Sequence, residues 1–142
     1  MGWPLLWALG GKGGQNLGRT EDDNAKAAVE AVIRDYIESW YEGDPVRMER
    51  ALHSELVKRI PAQGDSDAPA ELREVTKERM VELARGGGAE TPGAEYEIEV
   101  HHVDGRIASG LVRSVEYMDY VQLVETTDGW KIANILFCTH AA

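Results

Sequence analysis

The run from Tyr117 to Cys138 constrains this chain more than any other stretch, because two β-rich segments flank Asp128-Gly129. Asp-Gly between such segments is a strong hairpin signal: a tight two-residue turn needs positive φ, which glycine adopts without strain. With those two residues as the loop, Thr127 faces Trp130. The pairs then run back through Glu125/Ile132, Leu123/Asn134, Val121/Leu136 and Asp119/Cys138. Side chains alternate along a strand, so this register puts Trp130, Ile132, Asn134, Leu136 and Cys138 on one face with Asp119, Val121 and Leu123. Met118, Tyr120, Gln122 and Val124 share the other face with Lys131, Ala133, Ile135 and Phe137. Both faces are apolar at their centres, whereas a sheet that wets one side alternates cleanly. The ribbon is therefore expected to be covered twice, by the chain's own helices and by a second copy of the protein. Met118, Tyr120, Val124, Ile135 and Phe137 would form the face of that homodimer, since such a patch is unusual on a monomer.

Upstream, Ala28, Val29, Val32, Ile33, Tyr36, Ile37, Trp40 and Tyr41 recur at helical spacing. Glu21 to Asn24 supply cap candidates and first-turn acids, and Gly43 ends the helix. Asp44-Pro45 starts a second helix, with aspartate as N-cap and proline at the first helical position, running through Leu52. Glu55 to Pro61 and Glu71 to Val75 read as strands, separated by a loop over Ala62 to Ala70. Thr76 caps a third helix that Gly86-Gly87-Gly88 stops, and a loop follows from Glu90 to Gly93. From Ala94 to Val103 the chain alternates, with Tyr96, Ile98, Val100 and His102 on one face. Asp104-Gly105 turns it, and Ile107, Ser109, Leu111 and Arg113 return on the apolar face. Helices first and an antiparallel run of strands afterwards predict an α+β fold with a curved antiparallel sheet.

The 142 residues suit one domain with its own core, expected over residues 23–140 behind a flexible tail at 1–22. Gly10 to Gly14 lacks the spacing of a phosphate-binding loop. Trp3 to Gly10 is apolar but has neither the basic lead nor the cleavage site of a signal peptide. A cytoplasmic location is expected, with an exported form left open by that short stretch. A net charge of −10 repels phosphate backbones, so nucleic acid is not an expected partner. No run approaches the ~20 apolar residues of a membrane helix. Cys138 is the sole cysteine, which removes an internal disulfide and a thiolate metal cluster. It reads as a small buried hydrophobe.

Three pieces of this order carry a family resemblance: Tyr36-Ile-Glu-Ser-Trp-Tyr-Glu-Gly-Asp44, then Ala51-Leu-His-Ser-Glu55, then Asp119-Tyr-Val-Gln-Leu-Val124 with Asp128-Gly-Trp-Lys-Ile-Ala-Asn134. Across about residues 25 to 139 the chain resembles the nuclear transport factor 2-like superfamily, and within it the lumazine-binding branch near the SnoaL-like proteins. The resemblance implies a cone of curved sheet closed by three helices, and it points to pteridine-like ligands. It does not fix an activity, because that superfamily hosts isomerases, cyclases, dehydratases, hydrolases and plain binders. In ketosteroid isomerases of the superfamily, a tyrosine of the first helix donates to a developing enolate oxygen, which here would be Tyr36. Those enzymes also use a carboxylate base on the first strand. The matching position is Ile60, which cannot take a proton.

The side chains themselves leave two readings open at each position. Tyr36 is either a packed tyrosine with a bonded hydroxyl or a donor in a pocket. His102 is either a satisfied core histidine or an acid, base or ligand. His101 and His102 point to opposite faces, so they do not share a metal; no metal or cofactor is expected. Tyr36, Trp40, His102, Trp130 and Asn134 are expected to converge between the first helix and the sheet, where they would suit a flat aromatic or apolar ligand. Three functions follow: a homodimeric small-molecule binder, a SnoaL-like enzyme using Tyr36 and His102, or an interaction module with a filled cavity.

Overall fold

The computed structural model describes residues 15–62, 71–89 and 95–140. The expected glycine-rich segment at 10–14 and the loop at 90–93 lie outside them, as does most of the loop at 62–70. Helix α1 spans Gln15–Glu42, α2 spans Pro45–Ala51 and α3 spans Lys77–Arg85. The strands are β1 (Leu52–Pro61), β2 (Leu72–Val75), β3 (Tyr96–Asp104), β4 (Ile107–Ser114), β5 (Tyr117–Thr126) and β6 (Gly129–Thr139). They form one curved, unclosed six-stranded sheet in the order β2-β1-β6-β5-β4-β3, with the helices making this an α+β fold. Every neighbouring pair is antiparallel except β1 with β6, where the last strand returns beside the first.

Local chemistry explains the helix limits. Asp44 accepts a hydrogen bond from the Arg47 amide at 3.1 Å, and Thr76 accepts one from the Arg79 amide at 3.1 Å. Each satisfies an amide that has no partner within its own helix. Helix α1 starts at Gln15, so the expected caps at Glu21 to Asn24 lie inside it. After α3 the chain folds back onto α1. The Ala89 amide donates to the Trp40 carbonyl at 3.0 Å. A Cβ added at Gly88 would sit 1.8 Å from that carbonyl oxygen, and its φ is +66°, so only glycine fits.

One face of α1 packs on the core: Val29, Ile33, Tyr36, Ile37 and Tyr41 are buried against the sheet. Ile33 approaches closely because Gly110 has no side chain. A Cβ there would lie 3.3 Å from Ile33 Cδ1 and 2.4 Å from the Glu99 carbonyl. Around the helix, Arg47 pairs with Asp35 at 2.7 Å and also with Glu38, to which Tyr96 donates its hydroxyl. This half-buried network joins α1, α2 and β3.

Two β-bulges change the predicted faces. The final loop is Thr127-Asp128, not Asp128-Gly129; Gly129 pairs with Thr126 at φ +98° and Trp130 faces Glu125. Ala133 is then the extra residue of a bulge, because Leu123 faces Ile132 while Gln122 faces Asn134. An inserted residue shifts the alternation by one. Beyond it Ile135 and Phe137 turn toward the helices, and Asn134, Leu136 and Cys138 turn away, which reverses the expected assignment. Ile135 is buried in the core and Phe137 packs against it, so neither belongs to an outer patch. Cys138 is exposed rather than buried. A second bulge at His101 separates Val100, opposite Gly110, from His102, opposite Ser109. Tyr96, Ile98 and Val100 pack on the core as expected, but His102 does not. The neighbouring strand differs too: Ala108 and Val112 join the core, while Ile107 and Arg113 are exposed.

Candidate functional site

Three polar side chains meet inside the sheet, each from a different element. Tyr36 lies on the buried stripe of α1, Lys58 in the middle of β1 and Asp119 on β5. All three are within a few per cent of fully buried. Lys58 Nζ donates to the Tyr36 hydroxyl oxygen at 2.7 Å, and that hydroxyl donates to Asp119 Oδ2 at 2.7 Å. Nζ also lies 3.3 Å from Met80 Sδ. It stands 4.4 Å from the centre of the Phe137 ring and 5.2 Å from that of Tyr36, within the range of cation–π attraction. The chain Lys58–Tyr36–Asp119 is thus a continuous line of two short hydrogen bonds.

The electrostatics of the line are set by burial. Loss of water pushes the Lys58 ammonium down to about 8, although the Asp119 charge pulls the other way. Burial also pushes the Asp119 carboxyl above its ordinary range, against the opposing pull of Lys58 and Tyr36. Tyr36 is held well above the usual phenol value by burial and by the adjacent carboxylate. Desolvation disfavours each charged form, so ammonium and carboxylate are both driven toward neutrality.

These groups line a cavity of about 120 Å³ between α1 and the sheet. Ile37, Trp40, Val75, Met80, Leu83, Tyr117 and Phe137 complete its walls. Trp40 and Tyr117 meet edge to face at 6.4 Å, as do Tyr117 and Phe137 at 5.8 Å. The Trp40 indole Nε1 is buried without a hydrogen-bond partner, which costs roughly 1–3 kcal/mol if nothing fills the role.

Of the five residues expected to converge, Tyr36 and Trp40 share this space. Trp130 is buried in the core at the turn end of β6 and does not line the cavity. His102 and Asn134 lie on the other side of the sheet, at an open depression they share with Gln122 and Ser109. Asn134 Nδ2 donates to Gln122 Oε1 there. Among the described residues, no group of His, Cys, Asp and Glu is placed to hold a metal ion. No described helix is long and apolar enough to cross a membrane. The β1 group facing the cavity is Lys58, two residues before Ile60. The sequence did carry a signal for it: Lys58 stands midway between Leu56 and Ile60 in a strand, so alternation places it on the same face as those two apolar residues.

The family model described as "Putative lumazine-binding" matches residues 24–138. The chain belongs to this family. Solved structures similar to this member include an NTF2-like protein of unknown function from Shewanella baltica, at 19% identity and TM-score 0.68, covering 82% of this chain and 94% of that one. An NTF-2 like protein of unknown function from Silicibacter pomeroyi matches at 18% identity and TM-score 0.67, over 80% and 94%. A ketosteroid isomerase-like protein from Erwinia carotovora atroseptica matches at 17% identity and TM-score 0.55, over 82% and 96%. At these identities the likeness is one of fold, nuclear transport factor 2-like. No curated protein matches the chain.

Proposed function

We propose that this family member binds a small, largely apolar molecule with one acceptor oxygen in the cavity between α1 and the sheet. The observation that carries this reading is a charged donor inside an apolar space: Lys58, whose Nζ lies against Tyr36, Met80 and Phe137, lines a cavity walled mostly by aromatic and aliphatic side chains. Pockets for small molecules combine such walls with a few placed polar groups. The volume limits the occupant. An engineered apolar cavity of about 150 Å³ takes up benzene, so about 120 Å³ suits a single ring and is tight for a fused two-ring pteridine. Trp40 is the reporter. Titration with benzyl alcohol should shift the Trp40 indole N–H resonance, and lumazine should shift it less. If neither compound moves that resonance, the domain works through its surface with the cavity filled.

The outer sheet face supports a second part of the proposal, a homodimer. Ile107, Tyr120 and Leu136 are each at least half exposed there, beside Leu72 at 52%. Expected from sequence with Ile135 and Phe137, the patch is instead built on Leu136 and Tyr120 with Met118 and Val124. Covering it with a second copy would remove this apolar surface from water. Sedimentation of a monomer at micromolar concentration would rule it out. The acid–base alternative, an enzyme of SnoaL-like type, draws on the Lys58–Tyr36–Asp119 line rather than on His102.

A further inference from the structure

The line of two hydrogen bonds ends on an amine, and the lysine that carries it lines a largely apolar space. Lys58 Nζ bonds Tyr36 at 2.7 Å and Tyr36 bonds Asp119 at 2.7 Å. A proton can therefore leave the ammonium for the tyrosine oxygen while the tyrosine proton passes to Asp119 Oδ2. Tyr36 stays a neutral phenol throughout. The ion pair becomes a neutral amine beside a neutral carboxylic acid, with no charge left in a dry site. Burial favours that exchange from both ends. Desolvated lysines of this kind serve as imine-forming nucleophiles.

We propose that Lys58 is a carbonyl-trapping amine, condensing with a small aldehyde or ketone that enters the cavity. The proposal rests on the reading of that cavity as a binding site and adds the chemical class of its ligand. Rotation about the Cε–Nζ bond turns the freed lone pair from Tyr36 toward the cavity. The lone pair forms a C–N bond as the carbonyl π electrons move to oxygen. A proton shift from nitrogen to oxygen gives a carbinolamine. Nitrogen then expels the hydroxyl, which takes the proton from Asp119 by way of Tyr36 and leaves as water. The product is an iminium cation opposite an Asp119 carboxylate, so charge and atoms balance without an oxidant or reductant. The Phe137 ring, 4.4 Å from Nζ, faces a cation at the start and at the end.

The test is reductive trapping on the full chain with benzaldehyde and sodium cyanoborohydride near pH 7, followed by peptide mapping. An amine titrating near 8 holds far more free base at that pH than an ordinary lysine near 10.4, so Lys58 should be labelled at least about tenfold faster than exposed Lys26. Labelling of Lys58 no faster than Lys26 would overturn the proposal. Tyr36→Phe keeps the ring and cuts the line. It should slow labelling of Lys58 about tenfold and move its pH profile, with Lys26 unchanged; an unaltered Lys58 profile would overturn the relay. Benzyl alcohol separates the two readings: if it shifts Trp40 but benzaldehyde leaves Lys58 unlabelled, the imine falls and the pocket stands. If the alcohol does not bind and Lys58 is not labelled, both fall.

Discussion

The two faces of the sheet gather polar side chains in opposite ways. Toward α1, three groups are buried and bonded in one line, Lys58 to Tyr36 to Asp119. Away from α1, His101, His102, Gln122 and Asn134 lie exposed beside broader depressions, one of about 470 Å³ and one of about 360 Å³. The outer spaces are larger, yet their polar groups keep their water. In water a charge interacts weakly, and in a dry site strongly. Room alone is therefore a poor guide to chemistry here, and the smaller cavity holds the buried, bonded groups.

The sharpest way to break this comparison is to remove one polar side chain from each face. Asp119→Ala should cost about 3–5 kcal/mol, because it strands a buried ammonium without its counter-charge. Adding Lys58→Met to it should recover much of that loss, since replacing both partners with apolar groups is often neutral. His102→Ala, on the exposed side, should stay within about 0.5 kcal/mol. Urea melts of the three variants and the parent check all of this. Equal costs on both faces would mean that the inner line contributes nothing special.

A second break tests the wall rather than the charge. Trp40→Ala should cost about 3 kcal/mol, the low end for a large aromatic truncation, because the ring is only partly buried. A loss under about 1 kcal/mol would separate Trp40 from the core and leave it a pure rim residue.

Protonation offers a subtler probe. Lys58 titrates near 8 when folded and near 10.4 when unfolded, so between these values the unfolded chain binds more protons. Stability then rises with pH over that window, by about 2 kcal/mol from pH 8 to 10. Asp119 acts with the opposite sign at the acid end. Its carboxyl is raised on folding, so stability falls as pH climbs away from the ordinary carboxylate value. The Lys58→Met, Asp119→Ala double variant should lose the alkaline slope in melts repeated across pH. A slope that survives in it belongs to some other group.

Much of the fold was legible, and the misreadings share a cause. Helix spacing in Val29, Ile33, Tyr36 and Ile37 and the caps at Asp44 and Thr76 are local signals, and the structure keeps them. Alternation is legible only while no residue is inserted. The bulges at Ala133 and His101 each shift it by one, and nothing in Ile132-Ala-Asn134 or Val100-His-His102 marks the insertion. That is why Asn134 and His102 were expected inside and Ile135 and Phe137 outside. The inner line depends on three elements far apart in sequence, so strand spacing could put Lys58 on an inward face without showing that it meets Tyr36 and Asp119.

The smallest effect on folding belongs to the outer face, and it sharpens the comparison most cheaply. Leu136 is 50% exposed and sits across from Tyr120, itself 55% exposed. Leu136→Glu removes no core contact and places a carboxylate in water, so the folded monomer should change by no more than about 0.5 kcal/mol. In a dimer joined through this face, the same carboxylate would be buried near its symmetry mate, where like charges and lost solvation both oppose association. Sedimentation should therefore show the variant as a monomer under conditions where the parent is a dimer. The benzyl alcohol response of Trp40 should persist in that monomer, because the cavity lies on the opposite side of the sheet. If the variant still sediments as a dimer, the second copy sits elsewhere. If the Trp40 response disappears with the dimer, the two faces are coupled and do not act as separate surfaces.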